Sequence, residues 1–265
     1  MFAFIAYRVI KYRKKVVLNN LKNSFPEKTN HEISQIAKAY YLNLADISLE
    51  TIKSLTISPA VLRKKVKINN LELLEAHLKR GSSVITMTSH QGNWEWLLLS
   101  NSLEIKNGDV VAAFQEVSSL SGMMQRIRTK FGATLIEKKN MAREMMKGGT
   151  RPKVYALVAD QSPSDLTNRY WTHFLNQDTP FFTGAEKIAI KCKLVVLYVY
   201  MRRVKRGFYE VDFSEIGCPP YKGLDFSITK AYAKNVEKGI IENPSQWLWS
   251  HKRWKNIKKA KDENN

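Results

Sequence analysis

The stretch SSVITMTSHQGNWEWLLLSNSLEI, Ser82 to Ile105, decides the architecture. Ser83 to Thr88 is a short apolar run of the length of a buried strand, and WEWLLLSNSLEI, from Trp94, continues as a helix. Gly92 and Asn93 supply the turn and the cap between them. Groups that sit just past a strand, where a helix begins, are placed as catalytic groups are at the carboxyl end of a sheet, which makes His90 and Glu95 the candidate pair. On one continuous helix they would differ by about 140° of rotation and point to different faces, so they cooperate only if the chain reverses between them. With the reversal at Gly92 and Asn93, Glu95 folds back towards His90 and lies in the first helical turn, where the helix dipole favours a carboxylate. A carboxylate that accepts one imidazole N–H fixes the tautomer and makes the other nitrogen a better base, able to deprotonate a hydroxyl. The plainer alternative is a satisfied histidine in a strand-to-helix loop.

Working outward, helical and strand periods alternate. The first part, to about Ser54, is helical: Val16 to Ser24, a break at Phe25-Pro26, then a long periodic stretch from Glu32 to Leu55. Strands are predicted at Lys65–Ile68, Ser83–Thr88, Asp109–Phe114, Thr134–Glu137, Val154–Ala159, Leu194–Met201 and Tyr209–Ile216. Helical runs lie between most of them, at Leu71–Lys79, Trp94–Ile105, Leu120–Phe131, Met141–Lys147 and Ala185–Lys191. The pattern predicts an α/β fold, a mainly parallel central sheet flanked by helices, with an N-terminal helical segment. Residues 1–55 form that membrane-proximal segment and residues 56–265 the α/β part, continuous with it. Asp160 to Pro180 is polar, contains prolines and is long for a connection, so it reads as a functional loop or a mobile lid.

A length of 265 residues with 44% hydrophobic content favours one large domain with a substantial core. Lys and Arg number 43 against 24 Asp and Glu, a net charge of +19, so the surface attracts anionic partners. The basic runs YRVIKYRKK (Tyr7–Lys15) and HKRWKNIKKAK (His251–Lys261) are interleaved with apolar residues, and read either as solvated helix faces or as a grip on an anionic membrane surface. Zinc spacing, an RNP-like strand and a helix-turn-helix are all missing from the sequence, which argues against a nucleic-acid partner. Only Cys192 and Cys218 are present, without metal-ligand or disulfide spacing, which fits a reducing compartment and no metal. The longest apolar opening, MFAFIAY, is shorter than the roughly 18 residues of a membrane span, so it is read as an interfacial segment or the stub of an anchor.

Three further segments, with SHQGNWEW, stand in the order of a known family. QRIRTKFG (Gln125–Gly132) carries Arg128, VADQSP (Val158–Pro163) carries Asp160, and ENPSQWLWSHKRWK (Glu242–Lys255) closes the series, with NLKNSFPEK near the start. The chain resembles the bacterial lipid A biosynthesis acyltransferases, the late lauroyl or myristoyl transferase branch of the lysophospholipid acyltransferase superfamily, from about Tyr12 to Lys255. His90 and Glu95 match that family's signature of a His and an acidic residue separated by four positions. The stretch AAFQEVSS (Ala112–Ser119) departs from it, since Phe114 and Gln115 stand where a Tyr-Arg or Tyr-Lys pair is usual.

The resemblance implies an O-acyltransferase that moves a fatty acyl chain from an acyl carrier protein thioester to a hydroxyl of a lipid A precursor, without a cofactor. It would act at the cytoplasmic face of the inner membrane. His90 would take the hydroxyl proton, and donors for the oxyanion would come from the Gly92 and Asn93 amides or from Arg128, which alternatively clamps a phosphate. Asp160 would orient Arg128 or cap the following turn. Phe181 and Phe182 are candidates for an apolar wall along the acyl chain, as is Trp94, though each can equally be core. Gln161 is a further candidate contact, and Arg253 either packs the last segment or touches lipid phosphate. Other readings are a glycerolipid or aminolipid O-acyltransferase using the same base and, outside enzymes, a basic peripheral membrane-binding protein.

Overall fold

The computed structural model describes residues 12–115, 121–163 and 168–255. The opening apolar segment with the first basic run up to Lys11, the residues of AAFQEVSS beyond Gln115, Leu120, residues 164–167 and the end of the last basic run lie outside the described residues. The helices are α1 (Lys14–Ser24), α2 (Asn30–Lys53), α3 (Pro59–Lys65), α4 (Leu71–Lys79), α5 (Trp94–Glu104), α6 (Ser121–Arg128), α7 (Met141–Lys147), α8 (Gly184–Cys192) and α9 (Ser227–Glu242). The strands are β1 (Val66–Ile68), β2 (Val84–Thr88), β3 (Asp109–Phe114), β4 (Thr134–Glu137), β5 (Lys153–Val158), β6 (Arg169–Phe174), β7 (Gln177–Phe182), β8 (Val195–Lys205) and β9 (Phe208–Gly217).

Local chemistry sets the boundaries that matter for the site. α2 starts at a capping box: the Glu32 backbone N–H donates to Thr29 Oγ1 at 3.3 Å, and the Thr29 backbone N–H donates back to Glu32 Oε2 at 2.8 Å. α3 begins with a Ser58 cap and Pro59 in its first turn, where the missing N–H costs nothing. The cap of α5 is Asn93, whose Oδ1 accepts the Trp96 N–H at 3.0 Å.

Seven strands form one sheet in the order β1-β9-β8-β2-β5-β3-β4, in which every neighbouring pair is parallel except β8 with β9. The expected α/β fold with a mostly parallel sheet and N-terminal helices is the observed one. β2 is buried along its whole length, as a central strand covered on both faces must be. Its alternate residues feed two cores. Ile85 and Met87 join the cluster containing α1, α2, α8 and α9, while Val84 joins Trp96, Leu97 and Leu99 of α5 on the opposite face.

Two expectations are corrected. Asp160–Pro180 was expected to be a functional loop or a mobile lid, and from Arg169 onward it instead forms most of the antiparallel hairpin β6–β7, which pairs Arg169 with Phe182 through Phe174 with Gln177. Thr179, Phe174 and Phe181 are buried on one face of the hairpin, and Trp171 and Pro180 on the other, which ties it to the core. Lys65, expected to start a strand, is the last residue of α3.

Candidate active site

The site follows from strand register. β2 and β5 are adjacent and parallel, with Thr88 level with Val158, and the ladder continues one step further through Ala159 N–H to Thr88 C=O at 3.1 Å. Two residues beyond each strand therefore stand side by side, and these are His90 and Asp160. The His90 Nδ1–Asp160 Oδ1 distance is 2.6 Å, and Asp160 Oδ2 accepts the His90 backbone N–H at 2.9 Å. The Trp247 indole N–H donates to the same Oδ2 at 2.7 Å. The connections from β2 and β5 leave on opposite faces of the sheet, since α5 and α8 pack in different cores, and the crevice between two such strand ends is where α/β sheets bind ligands.

Asp160 is almost wholly buried, and burial alone would raise its pKa. The imidazole it faces, the two bonds from His90 and the Trp247 N–H outweigh that and hold the carboxyl below its ordinary value. An ionised Asp160 keeps the ring proton on Nδ1 and leaves Nε2 as the acceptor. Nε2 faces outward: the His90 side chain is 17% exposed, and the exposed Gln161 amide Nε2 lies 3.3 Å away. The half-buried Trp94 packs its ring edge-on to His90 at 5.1 Å between centroids.

Glu95 is not the partner of His90, contrary to the sequence reading. It is buried and receives both arms of Arg128, with Nε to Oε2 at 2.8 Å and Nη2 to Oε1 at 2.6 Å. As an early residue of α5, Glu95 is turned by the helix towards α6, while His90 precedes the turn and faces β5. Its hydrogen bonds raise the Arg128 pKa against the opposing effect of burial, so the guanidinium is firmly charged. Asp160 correspondingly orients His90 rather than Arg128. His90–Asp160 and Glu95–Arg128 are thus two separate pairs at the ends of one short loop.

The loop between them is clamped. Gly92 has φ +63°, and a Cβ there would lie 2.9 Å from the Met201 carbonyl oxygen, so only glycine fits. The Gly92 N–H donates to Gln246 C=O at 3.2 Å, which removes it as an oxyanion donor. The Leu248 N–H donates to His90 C=O at 3.1 Å, so Gln246–Leu248 runs antiparallel to residues 90–92 and Gln91 bridges Trp247. The Asn93 side chain is buried and spent on structure: besides capping α5, its Nδ2 donates to Glu50 Oε2 at 2.7 Å, where the Tyr209 hydroxyl also donates at 2.7 Å. Behind Asp160, the Ser162 N–H donates to His251 Nε2 at 3.3 Å; burial pushes the His251 pKa down to about 4, so this imidazole is neutral.

The remaining candidates separate by burial. Arg253 has no exposed surface: it donates to Pro180 C=O at 2.7 Å and lies 4.7 Å over the Phe181 ring, where it packs the last segment onto the hairpin. Phe181 is likewise core, edge-on to Phe174, whereas Phe182 is 41% exposed on the hairpin and away from that packing. Trp254 packs against the hairpin, its indole N–H donating to Thr179 Oγ1 at 2.7 Å. Trp247, Gln246 and Glu50 were missed as site residues. The signal for the first two was the Gln-Trp pair within ENPSQWLWSHKRWK. Among the described residues, no three His, Cys, Asp or Glu side chains gather in a group that could hold a metal.

A buried acid behind an outward-facing imidazole is suited to take a proton from a hydroxyl, and the carboxylate-anchored arginine at the other end of the same loop is suited to hold an anion. Comparison with curated proteins finds no match. The family model of the bacterial lipid A biosynthesis acyltransferases matches residues 1–256, nearly the whole chain. The segments around His90, Arg128, Asp160 and Trp247 all fall inside that match, and the chain belongs to the bacterial lipid A biosynthesis acyltransferase family.

Proposed function

We propose that the chain transfers a fatty acyl group from an acyl carrier protein thioester to the hydroxyl of a 3-hydroxyacyl chain on a lipid A precursor, with His90 as general base and Asp160 as its partner. The observation that carries this reading is the 2.6 Å contact between His90 Nδ1 and Asp160 Oδ1, which leaves Nε2 facing solvent. A hydroxyl is a weak nucleophile at neutral pH and needs a base within hydrogen-bond reach as it attacks. The acceptor hydroxyl takes the place of the Gln161 amide at Nε2 and gives up its proton as its oxygen bonds to the thioester carbonyl carbon. Asp160 steadies the imidazolium so formed. Collapse of the tetrahedral intermediate breaks the C–S bond, and the proton held on His90 passes to the leaving thiolate. Arg128, pinned by Glu95 through Nε and Nη2, keeps Nη1 for the oxyanion or for a phosphate of the acceptor.

The family implies an acyl donor and a lipid A precursor as substrates and an association with the inner membrane. No helix among the described residues is long and apolar enough to cross a membrane. A net charge of +19 supports peripheral attachment at the cytoplasmic face through anionic lipid. The test is acyl transfer from carrier-protein thioester to a tetra-acyl lipid A precursor by wild type, His90→Ala and Asp160→Ala at matched folding. Loss of turnover in both variants with donor binding retained is expected; robust turnover in His90→Ala would overturn the mechanism. Turnover with a coenzyme A thioester but not the carrier-protein thioester would overturn the donor assignment.

A further inference from the structure

The helix that braces the site has a second face that no described residue covers. The inward side of α2 is apolar along most of its length, and towards its C-terminal end it carries polar groups that are engaged. Asp46 accepts from Arg203 Nη2 at 2.8 Å, Glu50 accepts from Asn93 and Tyr209, and Ser54, just past the helix, accepts the Trp96 indole N–H at 2.9 Å. Because Asn93 follows β2, three residues after His90, and Arg203 lies near the end of β8, these bonds lay α2 along the carboxyl edge of the sheet. On the other side Leu42, Leu49 and Ile52 are 58, 46 and 55% exposed, and Leu55 just beyond is 37% exposed. At 100° per residue, Leu42, Leu49 and Ile52 lie within about 80° of one another and on average about 110° from Glu50, so they form one stripe rather than scattered exposures.

The charge around the stripe is mainly cationic, with Arg63 paired to Glu104 at 2.7 Å. From Leu42 to Lys65 the exposed charged residues are Lys53, Arg63 and Lys64, all cationic, while the acids of the same stretch, Asp46 and Glu50, are turned inward. Arg126 and Lys130 extend the cationic rim: with Leu55 and Thr129 they line a cavity of about 340 Å³, and Lys130 Nζ is fixed at the Ser54 and Leu55 carbonyls at 3.0 and 2.9 Å. A second copy of this face would meet it cation to cation. An aliphatic stripe with a cationic rim instead complements a surface that is apolar within and anionic at its boundary.

We propose that the outer face of α2 is a docking surface for an anionic bilayer, with Leu49 and Ile52 entering the acyl-chain boundary and Lys53 and Arg126 meeting lipid phosphate. The proposal rests on the lipid-acceptor reading given above and adds what that reading lacks, the face by which the mouth of the site is held against the membrane in which such an acceptor resides. The test is sedimentation of the full-length protein with phosphatidylcholine vesicles, with and without phosphatidylglycerol, for wild type and for the double variant Leu49→Glu/Ile52→Glu. Turnover on a detergent-dispersed acceptor is measured in parallel. Wild type is expected to bind the anionic vesicles at least ~10-fold better than the neutral ones, and the double variant to lose ~10-fold or more of that binding with an unchanged melting temperature. Its turnover on dispersed acceptor stays within about twofold of wild type. Unchanged vesicle binding in the double variant overturns the docking surface while leaving the acyltransferase reading standing. Binding that depends on the stripe, with no transfer to any acceptor, supports the surface and removes the proposed substrate. Equal binding to neutral vesicles, or a dimer that the double variant dissolves without any vesicle binding, overturns the proposal.

Discussion

Asp160 is held by three donors, the His90 ring, the His90 backbone and the Trp247 indole, and each is an argument for its ionised form. Replacing it by Asn leaves a side chain of the same shape that no longer compels the ring proton onto Nδ1. Asp160→Asn is expected to lower kcat by about 10²- to 10⁴-fold with KM nearly unchanged, measured by initial rates at saturating donor. The sign of its linkage follows from the lowered pKa. The folded form holds the carboxylate more firmly than the unfolded chain does, so its stabilisation is present above the ordinary value of 3.8 and is lost as pH falls through the lower folded value. His251 behaves in the opposite chemical sense. Its folded pKa is pushed down by burial to about 4 from 6.5, so protonation favours the unfolded chain and stability falls as pH drops from 6.5 towards 4. Allowing for its partial exposure, the protein should lose about 1–2 kcal/mol from this group between pH 7 and pH 5. Urea titrations at the two pH values check this, since His251→Gln should reduce the difference by that amount.

At the scale of elements, the short segment Gln246–Leu248 is what keeps the loop after β2 in register with the end of β5. It bonds Gly92 and His90 through the backbone and reaches Asp160 through the Trp247 side chain, which is buried and wedged edge-on against Trp249 at 4.8 Å between centroids. Trp247→Phe preserves most of the packing and removes one donor from Asp160. A carboxylate relieved of that donor attracts the imidazolium more strongly, so the acid limb of the pH–rate profile is expected to move to higher pH. About a tenfold loss in kcat should accompany it, with little change in KM. A merely structural role for Trp247 would lower the melting temperature and leave the limb where it is. The strand–turn–helix around His90 was legible because its apolar run, its Gly-Asn turn and its helix all lie within one stretch. The β2–β5 pairing was not, because β5 inserts beside β2 only after β3 and β4 have been laid down on its far side, and no local period encodes strand order. His90 therefore found its partner seventy positions away, while the nearer Glu95 was drawn to Arg128 by the rotation of α5. The hairpin β6–β7 was hidden by Pro180 and by polar residues on its outer face. In α9, by contrast, Ile228, Tyr232, Val236 and Ile240 repeat every four positions, a legible signal that the sequence reading passed over.

For the whole molecule, the N-terminal helices and the α/β body share their interior. Val17, Leu21, Ile33, Ala37 and Tyr40 belong to the same buried cluster as Ile85, Tyr198, Val236 and Trp249, and the Tyr40 hydroxyl accepts the Ser250 N–H at 3.2 Å. Asp46 adds a polar tie, accepting from Arg203 at 2.8 Å and from Arg206 at 2.7 and 3.0 Å. We infer that the helices and the sheet unfold together, because separating them would expose that cluster and strand Arg203, whose side chain is 16% exposed, without its carboxylate. Asp46→Ala should then lower the stability of the whole chain by about 2–4 kcal/mol and keep a single transition. Urea unfolding followed by far-ultraviolet circular dichroism and by tryptophan fluorescence distinguishes the cases. The far-ultraviolet signal weights the helices, whereas all six tryptophans lie between Trp94 and Trp254, in the body. Coincident curves that shift together in the variant support one cooperative unit. An early loss of helical signal that leaves the fluorescence transition in place would show that residues up to about Leu55 fold apart from the rest, and would detach the bracing of α2 from the stability of the site it serves.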